Sequence, residues 1–226
     1  MLPINTTSQK FENTFQNRRA FSENRVDEIL RQYTLLNIKQ LKQFWNGYGR
    51  AYHNWEHAQY MLFLALEYKD QIEKTTNFDS LVLSILFHDI IYVPGSRHNE
   101  HVSAEMFRAC LKPEIDYGYT GVVYSAIKRT QYLALIGEPV KIDQDPLTWW
   151  LQMLDLYPLI VNDRGTCLLN FVLVWDEFKH LCNGDSAMFE DRQNQFLSKL
   201  ATEFGFEYEP ITWEEVKRKI HEPIEW

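Results

Sequence analysis

The chain has 226 residues, enough for one sizeable core, and carries 23 Lys and Arg against 31 Asp and Glu, a formal net charge of −8. This acidic balance argues against a nucleic-acid-binding surface, but not against a small phosphorylated ligand, because a bound metal can supply positive charge locally. The three cysteines, Cys110, Cys167 and Cys182, are odd in number and form no CxxC pair, which predicts reduced, packed thiols.

No stretch of the sequence has the pattern of a membrane span or of a secretion signal. The apolar run at 81–93 is too short to cross a bilayer and holds ionisable groups. The first 19 residues lack the continuous apolar segment of a signal peptide. We therefore expect a soluble, cytoplasmic protein without a membrane partner.

Apolar residues recur at helical spacing through the first half of the chain. The pattern predicts an amphipathic helix over 25–44, broken once near Asn37, and a second helix over 55–73 with Asn54 as its N-cap. The run at 81–92 predicts a buried helix that Asp79 or Ser80 caps and that the sequence Val93-Pro94-Gly95 ends. A further helix is predicted over 99–111.

The second half shows the same spacing, with turns marked by proline, glycine and asparagine. It predicts helices at 119–135, at 147–157 with Pro158 as the stop, at 168–181, at 188–204 and at 213–220. The turn Asn183-Gly184-Asp185 separates the two long helices, and only 206–208 is a weak strand candidate. With no repeat and no linker, the prediction is one all-α domain.

A histidine and an aspartate stand side by side near the end of the buried run, as His88 and Asp89. Burying an unpaired carboxylate costs several kcal/mol, so Asp89 needs a compensating partner. One candidate is a His88–Asp89 pair with ordinary hydrogen bonds. The other is a divalent metal that takes both side chains as ligands. Adjacent residues on a helix project about 100° apart, so both side chains could reach one ion placed beyond the helix end.

A second pair of histidines, His53 and His57, lies four positions apart. If both lie on the helix, they project from one face and suit two ligands of one metal, or one ligand beside one acid/base group. Histidines at this spacing also arise on helix surfaces by chance.

Four strings along the chain are specific in combination: R-x-Y-H-N-x-x-H at 50–57, F-H-D-x-x-Y at 87–92, N-E-x-x-S-A at 99–104 and D-L at 155–156. The series resembles the HD superfamily, in a bacterial branch usually described as predicted metal-dependent phosphohydrolases. The string at 52–58 is also similar to one in class I cyclic nucleotide phosphodiesterases. The resemblance spans roughly 50–160 and implies a single HD-type helical bundle, with a motif-bearing core at about 25–182 and C-terminal helices at 186–226 packed on it.

The resemblance implies a ligand set of His57, His88, Asp89 and Asp155 for one divalent metal ion, which could be Mn, Ni, Zn, Mg or Fe. Two imidazoles and two carboxylates suit a borderline or hard ion and neutralise its charge. Asp155 has a simpler alternative role, because an aspartate before Leu-Tyr-Pro could cap a short helix.

The resemblance also assigns three catalytic residues: His53, Arg50 and Glu100. His53 corresponds to the histidine that protonates the leaving oxygen, or else it orients Asn54 or a nearby carboxylate. Arg50 would clamp phosphate through bidentate hydrogen bonds, or lie solvated on the surface. Glu100 could accept from a metal-bound water or a ligand imidazole, or serve only as a first-turn glutamate favoured by the helix dipole.

The expected activity is hydrolysis of a small phosphorylated compound, with nucleotides as the first class to consider, through attack of metal-bound water. Where relatives tend to carry T-x-x-H, this chain reads Thr130-Gln131-Tyr132-Leu133, and His98 and His101 are expected to be solvated. We therefore favour one metal over two. An HD-fold di-iron oxygenase and a non-catalytic metal- or nucleotide-binding regulatory module remain alternatives.

Tryptophans concentrate in the second half of the chain, at 149, 150, 175, 213 and 226. Large aromatic side chains dominate both core and interface energetics. Core packing is the favoured use, and the alternatives are a pocket lining or the contact of a homodimer.

Overall fold

The computed structural model describes residues 23–131 and 142–221, apart from the side chains at 117, 220 and 221, and the regular secondary structure of these ranges is helical. The helices are α1 (the described part, 23–33), α2 (Ile38–Trp45), α3 (Trp55–Glu67), α4 (Lys69–Ile72), α5 (Phe78–Phe87), α6 (Asn99–Cys110), α7 (Tyr117–Lys128), α8 (Pro146–Ile160), α9 (Arg164–Phe178), α10 (Ser186–Phe204) and α11 (Trp213–His221). The only β-pairing in the described ranges is an isolated bridge between Thr34 and Leu111. The all-α prediction is confirmed, and 206–208 is not a strand.

Asn and Asp side chains begin most of these helices by accepting hydrogen bonds from first-turn N–H groups. Asn37 caps α2, which confirms the predicted break in the first helical stretch, and Asn54 caps α3 as expected. For α5 the cap is Asn77 instead of Asp79 or Ser80. This helix also ends earlier than predicted, so that His88 is its C-cap and Asp89 lies in the turn that follows.

Pro158 does not end its helix, contrary to the prediction, because α8 continues to Ile160. A proline removes one helical N–H bond and costs about 3 kcal/mol in a helix interior. Burial outweighs that cost here, since nearly every α8 side chain from 147 to 160 is buried. The Pro158 carbonyl also accepts a hydrogen bond from Asn170 Nδ2 of α9, at 2.9 Å.

Two other boundaries differ from the sequence pattern. The predicted helix over 55–73 divides at Tyr68 into α3 and α4. α7 ends at Lys128, so it does not reach 135, and Tyr132 and Leu133 lie outside the described residues. The turn at Asn183 and Gly184, both with positive φ, and the helix α11 agree with the prediction.

Two apolar clusters share α8. The larger cluster packs α1, α2, α3, α5, α6 and α7 against Leu151 and Leu154, and the smaller packs α9, α10 and α11 against Leu156 and Leu159. The N-terminal part of α8 therefore packs on the larger cluster and its last turns pack on the smaller one. A side chain near the junction of these two parts lies between the two halves of the described structure.

Packing in these clusters accounts for the cysteines and for the tryptophans of the second half. Cys110, Cys167 and Cys182 are free and buried, as predicted. Trp149 and Trp150 pack on the larger cluster, and Trp175 and Trp213 on the smaller one, whereas Trp226 lies outside the described residues. No helix within 23–131 or 142–221 combines the length and apolar character that a membrane span requires.

Candidate metal centre and the adjoining cavity

Three helices bring together His57, His88 and Asp155, which are far apart in sequence. His57 lies in the first turn of α3, His88 caps the end of α5 and Asp155 projects from the middle of α8. All three are buried, and one ligand atom from each lies within 4.8 Å of the others. His57 Nε2 is 3.0 Å from Asp155 Oδ1, and His88 Nε2 is 3.6 Å from the same oxygen. The alternative role of Asp155 as a helix cap is excluded by its position.

The His88 imidazole is oriented for coordination. Its Nδ1 lies 2.9 Å from the Ile85 carbonyl oxygen, and because a carbonyl only accepts, Nδ1 carries the proton. Its Nε2 then faces the cluster, buried and without a hydrogen-bond partner among the described residues. A backbone carbonyl that fixes the tautomer in this way is the usual support of a metal-binding histidine. The donor set therefore fits a divalent ion.

Asp89 lies at the edge of this cluster. Its side chain is buried, with Oδ2 3.3 Å from His88 Nε2 and 3.9 Å from His53 Nε2. The carboxylate thus stands between the metal-binding candidates and His53. The predicted ligand set is brought together, with His57, His88 and Asp155 forming its tightest part.

Burial opposes charge on every group of the cluster, so each pKa depends on the neighbours. Burial raises the pKa of the Asp155 carboxyl, but His57 and His88 outweigh that effect and leave the pKa below its ordinary value. Burial lowers the pKa of His57, whereas in His88 the carboxylates Asp89 and Asp155 reverse the effect and raise the pKa well above its ordinary value. Because a metal binds the neutral imidazole, an ion would displace the proton from His88.

His53 precedes the Asn54 cap and so does not lie on α3. His53 and His57 therefore do not project from one face of a single helix, the arrangement that their spacing allowed. Its Nδ1 is 2.5 Å from Oε2 of Glu177, a buried residue of α9, and its ring stacks on Tyr92 with centroids 4.2 Å apart. Burial lowers the pKa of His53, but the Glu177 carboxylate, followed by Asp89 and Asp155, raises it above the ordinary value. The imidazolium form therefore persists to a higher pH than it does in an unperturbed histidine.

Glu177 is the main site residue that the sequence reasoning missed. It accepts hydrogen bonds from the backbone N–H groups of Tyr52 (2.7 Å) and His53 (2.9 Å) and from the Tyr92 hydroxyl (3.2 Å), in addition to its contact with the His53 ring. A signal was present, because Phe171, Val174 and Glu177 follow one another at intervals of three, which places the glutamate on the buried face of its helix.

Arg50 holds the two halves of the site together through backbone carbonyls. Its Nη1 donates to His53 O and Asp89 O, and its Nη2 donates to Ile90 O, at 2.7–2.9 Å. The guanidinium also lies over the Tyr92 ring, 5.4 Å from the centroid. These contacts favour a positioning role over the predicted phosphate clamp, and they rule out a solvated surface arginine.

Glu100 lies in the first turn of α6 and lines a cavity beside the cluster. Its Oε2 is buried without a hydrogen-bond partner in the described ranges. Burial raises the pKa of Glu100 to about 7, with a further contribution from Asp89. This carboxyl can therefore hold or release a proton near neutral pH. His98 and His101, at the start of the same helix, are exposed as predicted.

The cavity has a volume of about 440 Å³, within the range of small-molecule sites. His53, His88, Asp89, Glu100 and Asp155 lie in its wall. The opposite wall is formed mainly by apolar residues of α8, α9 and α10, namely Leu156, Leu159, Val174, Phe178, Phe189 and Phe196. The polar side chains of the candidate metal centre therefore border a cavity whose opposite wall is mainly apolar.

This geometry combines a buried His/His/Asp group, a histidine held by a glutamate, and an adjacent cavity of ligand size. Comparisons of the chain with protein-family models, with curated proteins and with solved structures find no match.

Proposed function

We propose that this protein is a metal-dependent phosphohydrolase that acts on a small phosphorylated compound, with nucleotides as the first class to test. The observation that carries the proposal is the buried group of His57, His88 and Asp155. His88 and Asp155 lie in the wall of the cavity, and His88 Nε2, which faces the group, has no hydrogen-bond partner among the described residues. The resemblance of the four sequence strings to HD-superfamily phosphohydrolases supports the same activity.

His57, His88 and Asp155, with Asp89 beside them, would hold the ion. When bound, a divalent ion supplies a Lewis acid for a phosphoryl oxygen and lowers the pKa of a water. The mixed nitrogen and oxygen donors suit Mn, Ni, Zn, Fe or Mg. Two carboxylates balance the charge of such an ion, which leaves the site as a whole near neutrality.

His53 supplies the proton for the leaving oxygen. Its Nδ1–H bond to Glu177 fixes the ring, so that Nε2 faces the side of the cavity where Asp89 lies, 3.9 Å away. Because its pKa is raised, His53 holds its second proton to a higher pH than an unperturbed histidine does, and the imidazolium can donate from Nε2 as the ester bond breaks. Glu177 remains ionised, since His53 and the backbone N–H groups hold its pKa below the ordinary value despite burial.

Glu100 is placed to accept a proton on the same side of the cavity. A carboxyl with a pKa of about 7 is a suitable base near neutral pH, and its buried Oε2 has no other partner among the described residues. Attack on phosphorus releases one proton and departure of the alcohol consumes one. Glu100 and His53 therefore form a complementary pair for the two transfers.

The test combines metal analysis with a screen for phosphate release. The purified protein is assayed against phosphorylated compounds, nucleotides first, with Mn, Ni, Zn, Fe and Mg added singly. We expect one bound ion per chain and metal-dependent phosphate release from at least one compound. Asp89→Ala should lose both, whereas Asp70→Ala, a change at an exposed aspartate, should keep both.

Three results would contradict the proposal. Phosphate release that survives in metal-free Asp89→Ala protein would show that the centre is not catalytic. Two irons per chain with oxygen-dependent turnover would point to the di-iron alternative, and ligand-induced thermal stabilisation without phosphate release from any compound would point to a binding module.

A further inference from the structure

The side chains of two arginines in the cavity wall make no ion pair or hydrogen bond to another described residue. Within the described ranges Arg25, Arg31, Arg50, Arg108, Arg129 and Arg164 each contact a carboxylate or a carbonyl oxygen. Arg97, Arg192 and Arg218 contact neither, and of these three only Arg97 and Arg192 line the cavity. Both are exposed, and both line the same cavity as the candidate metal centre.

These two arginines come from separate elements that converge on the cavity. Arg97 belongs to the loop between α5 and α6, where its backbone carbonyl accepts a hydrogen bond from Gln131 Nε2 at 2.6 Å. Arg192 belongs to α10. An acidic protein repels anionic ligands over most of its surface, so an unpaired cationic pair beside a cavity creates a local region that attracts them.

Gln193, the residue after Arg192, gives a second indication of a ligand. Its side chain is 5% exposed and lines the cavity, and its amide makes no hydrogen bond to another described residue. Because the rest of the side chain is buried, the amide is accessible only where it faces the cavity, and a polar group of a ligand can pair with it there. The neighbouring wall is apolar, with Phe189 and Phe196 on the same helix, so the amide is an isolated polar anchor in an apolar surface.

We propose that the cavity binds an organic phosphate that carries a second anionic group. This rests on the proposed function, because the phosphate occupies the candidate metal centre. The apolar part of the ligand packs against Phe189 and Phe196 beside the Gln193 amide, and Arg97 and Arg192 bind the second anion. A second phosphate and a carboxylate share the required chemistry, since the arginine guanidinium pairs with either through two parallel hydrogen bonds.

The test uses aryl phosphonates, which cannot be hydrolysed, as probes of binding. Phenyl- and biphenylphosphonate are compared with their para-carboxy and para-phosphono derivatives by calorimetry on manganese-supplemented protein at low and high salt. We expect the second anion of at least one derivative to tighten binding about tenfold or more at low salt, and the gain to shrink at high salt. The carboxy and phosphono arms show which anion is preferred.

Variants then assign the gain to the two arginines. Arg97→Ala/Arg192→Ala should bind all probes within about twofold of the singly anionic parent, because only the second anion loses its partner. Arg218→Ala, at an exposed arginine of α11 outside the cavity wall, should keep the full gain. Equal binding of singly and doubly anionic probes by the wild-type protein, or a gain that survives in the double variant, would overturn the proposal.

Phosphate release from the matching aryl phosphate esters separates this proposal from the proposed function. If the second anion tightens binding of the phosphonates and no ester releases phosphate, the proposal of a doubly anionic ligand is supported and the proposed hydrolase activity is contradicted. If the esters release phosphate and the second anion brings no gain, the hydrolase stands and the doubly anionic ligand fails.

Discussion

Two buried carboxylates stand beside the histidines of this site, and they differ in the donors that the protein gives them. Glu177 accepts from two backbone N–H groups, the Tyr92 hydroxyl and the His53 ring. Asp155 accepts a hydrogen bond within 3.5 Å only from His57 among the described residues. A buried carboxylate whose lone pairs are all used positions another group, whereas one with lone pairs to spare is available to an ion.

The sharpest way to break this comparison is to neutralise Asp155 while keeping its shape. Asp155→Asn should weaken binding of the divalent ion about 100-fold or more, because the substitution removes the charge that balances the ion. Metal content by mass spectrometry, after chelation and reloading with a single metal, measures the effect. Glu177→Gln is the matched control and should retain the ion. Equal metal content in the Asp155→Asn and wild-type proteins would contradict the ligand assignment.

The same change at Glu177 should act on stability and on His53. Glu177→Gln places an amide N–H₂ either against two backbone N–H groups, which only donate, or against the His53 ring and the Tyr92 hydroxyl, which would have to reverse their donor roles. We expect a loss of about 2–4 kcal/mol in the free energy of unfolding. Urea unfolding measures this loss, and the pKa of His53 from NMR titration should fall, since Glu177 raises it. Asp176→Asn, an exposed neighbour in α9, should change neither quantity.

The pH dependence of that loss has a defined sign. Because the folded-state pKa of His53 lies above its ordinary value of 6.5, the imidazolium contributes stability that is fully present below pH 6.5 and is lost as the pH rises through the folded pKa. The difference between wild type and Glu177→Gln should therefore be larger at pH 6 than at about pH 9. A difference that grows with pH would show that His53 is not the partner that matters.

The smallest expected effect concerns Glu100, whose buried Oε2 accepts no hydrogen bond from another described residue. Its pKa is raised from 4.5 to about 7, so ionisation destabilises the folded state as the pH rises through that interval. Glu100→Gln mimics the protonated form and should stabilise the metal-free protein by about 1–3 kcal/mol at pH 8 and little at pH 5. Thermal unfolding at the two pH values measures it. Glu214→Gln, in the first turn of α11, is the control, and an equal shift at both pH values would refute the assignment.

Local signals in the sequence were sufficient for most of the fold. Helical periodicity, the break near Asn37 and the Asn54 cap predict where α2 and α3 begin, because these features act over a few residues. Pro158 misleads because its local preference is overridden by the burial of α8 between two clusters, which no window of sequence reveals. The end of α5 before Asp89 was missed for a similar reason, since Arg50 holds the carbonyls of that turn from far away in the chain.

The same contrast between local signals and long-range contacts applies to the candidate site. His57, His88, Asp89 and Asp155 were predicted from a combination of short strings, and the fold brings them together. The partner of His53 was not predicted, because Glu177 is 124 positions away and only its spacing from Phe171 and Val174 marked it as buried. Arg50 was predicted as a phosphate ligand, because a sequence cannot show that its Nη1 and Nη2 groups already donate to backbone carbonyls.

Trp45 has a consequence for how the centre can be observed. Its indole is fully buried, its Nε1 donates to the Leu86 carbonyl at 2.9 Å, and its ring lies 5.5 Å from the His88 ring and 6.4 Å from the His57 ring. An indole held rigidly against two metal-binding candidates is an intrinsic fluorophore at the centre itself. Its emission will be quenched by ions with unpaired d electrons, such as Mn²⁺ or Ni²⁺, and much less by Zn²⁺ or Mg²⁺, so the chain carries an optical reporter of which metal it holds.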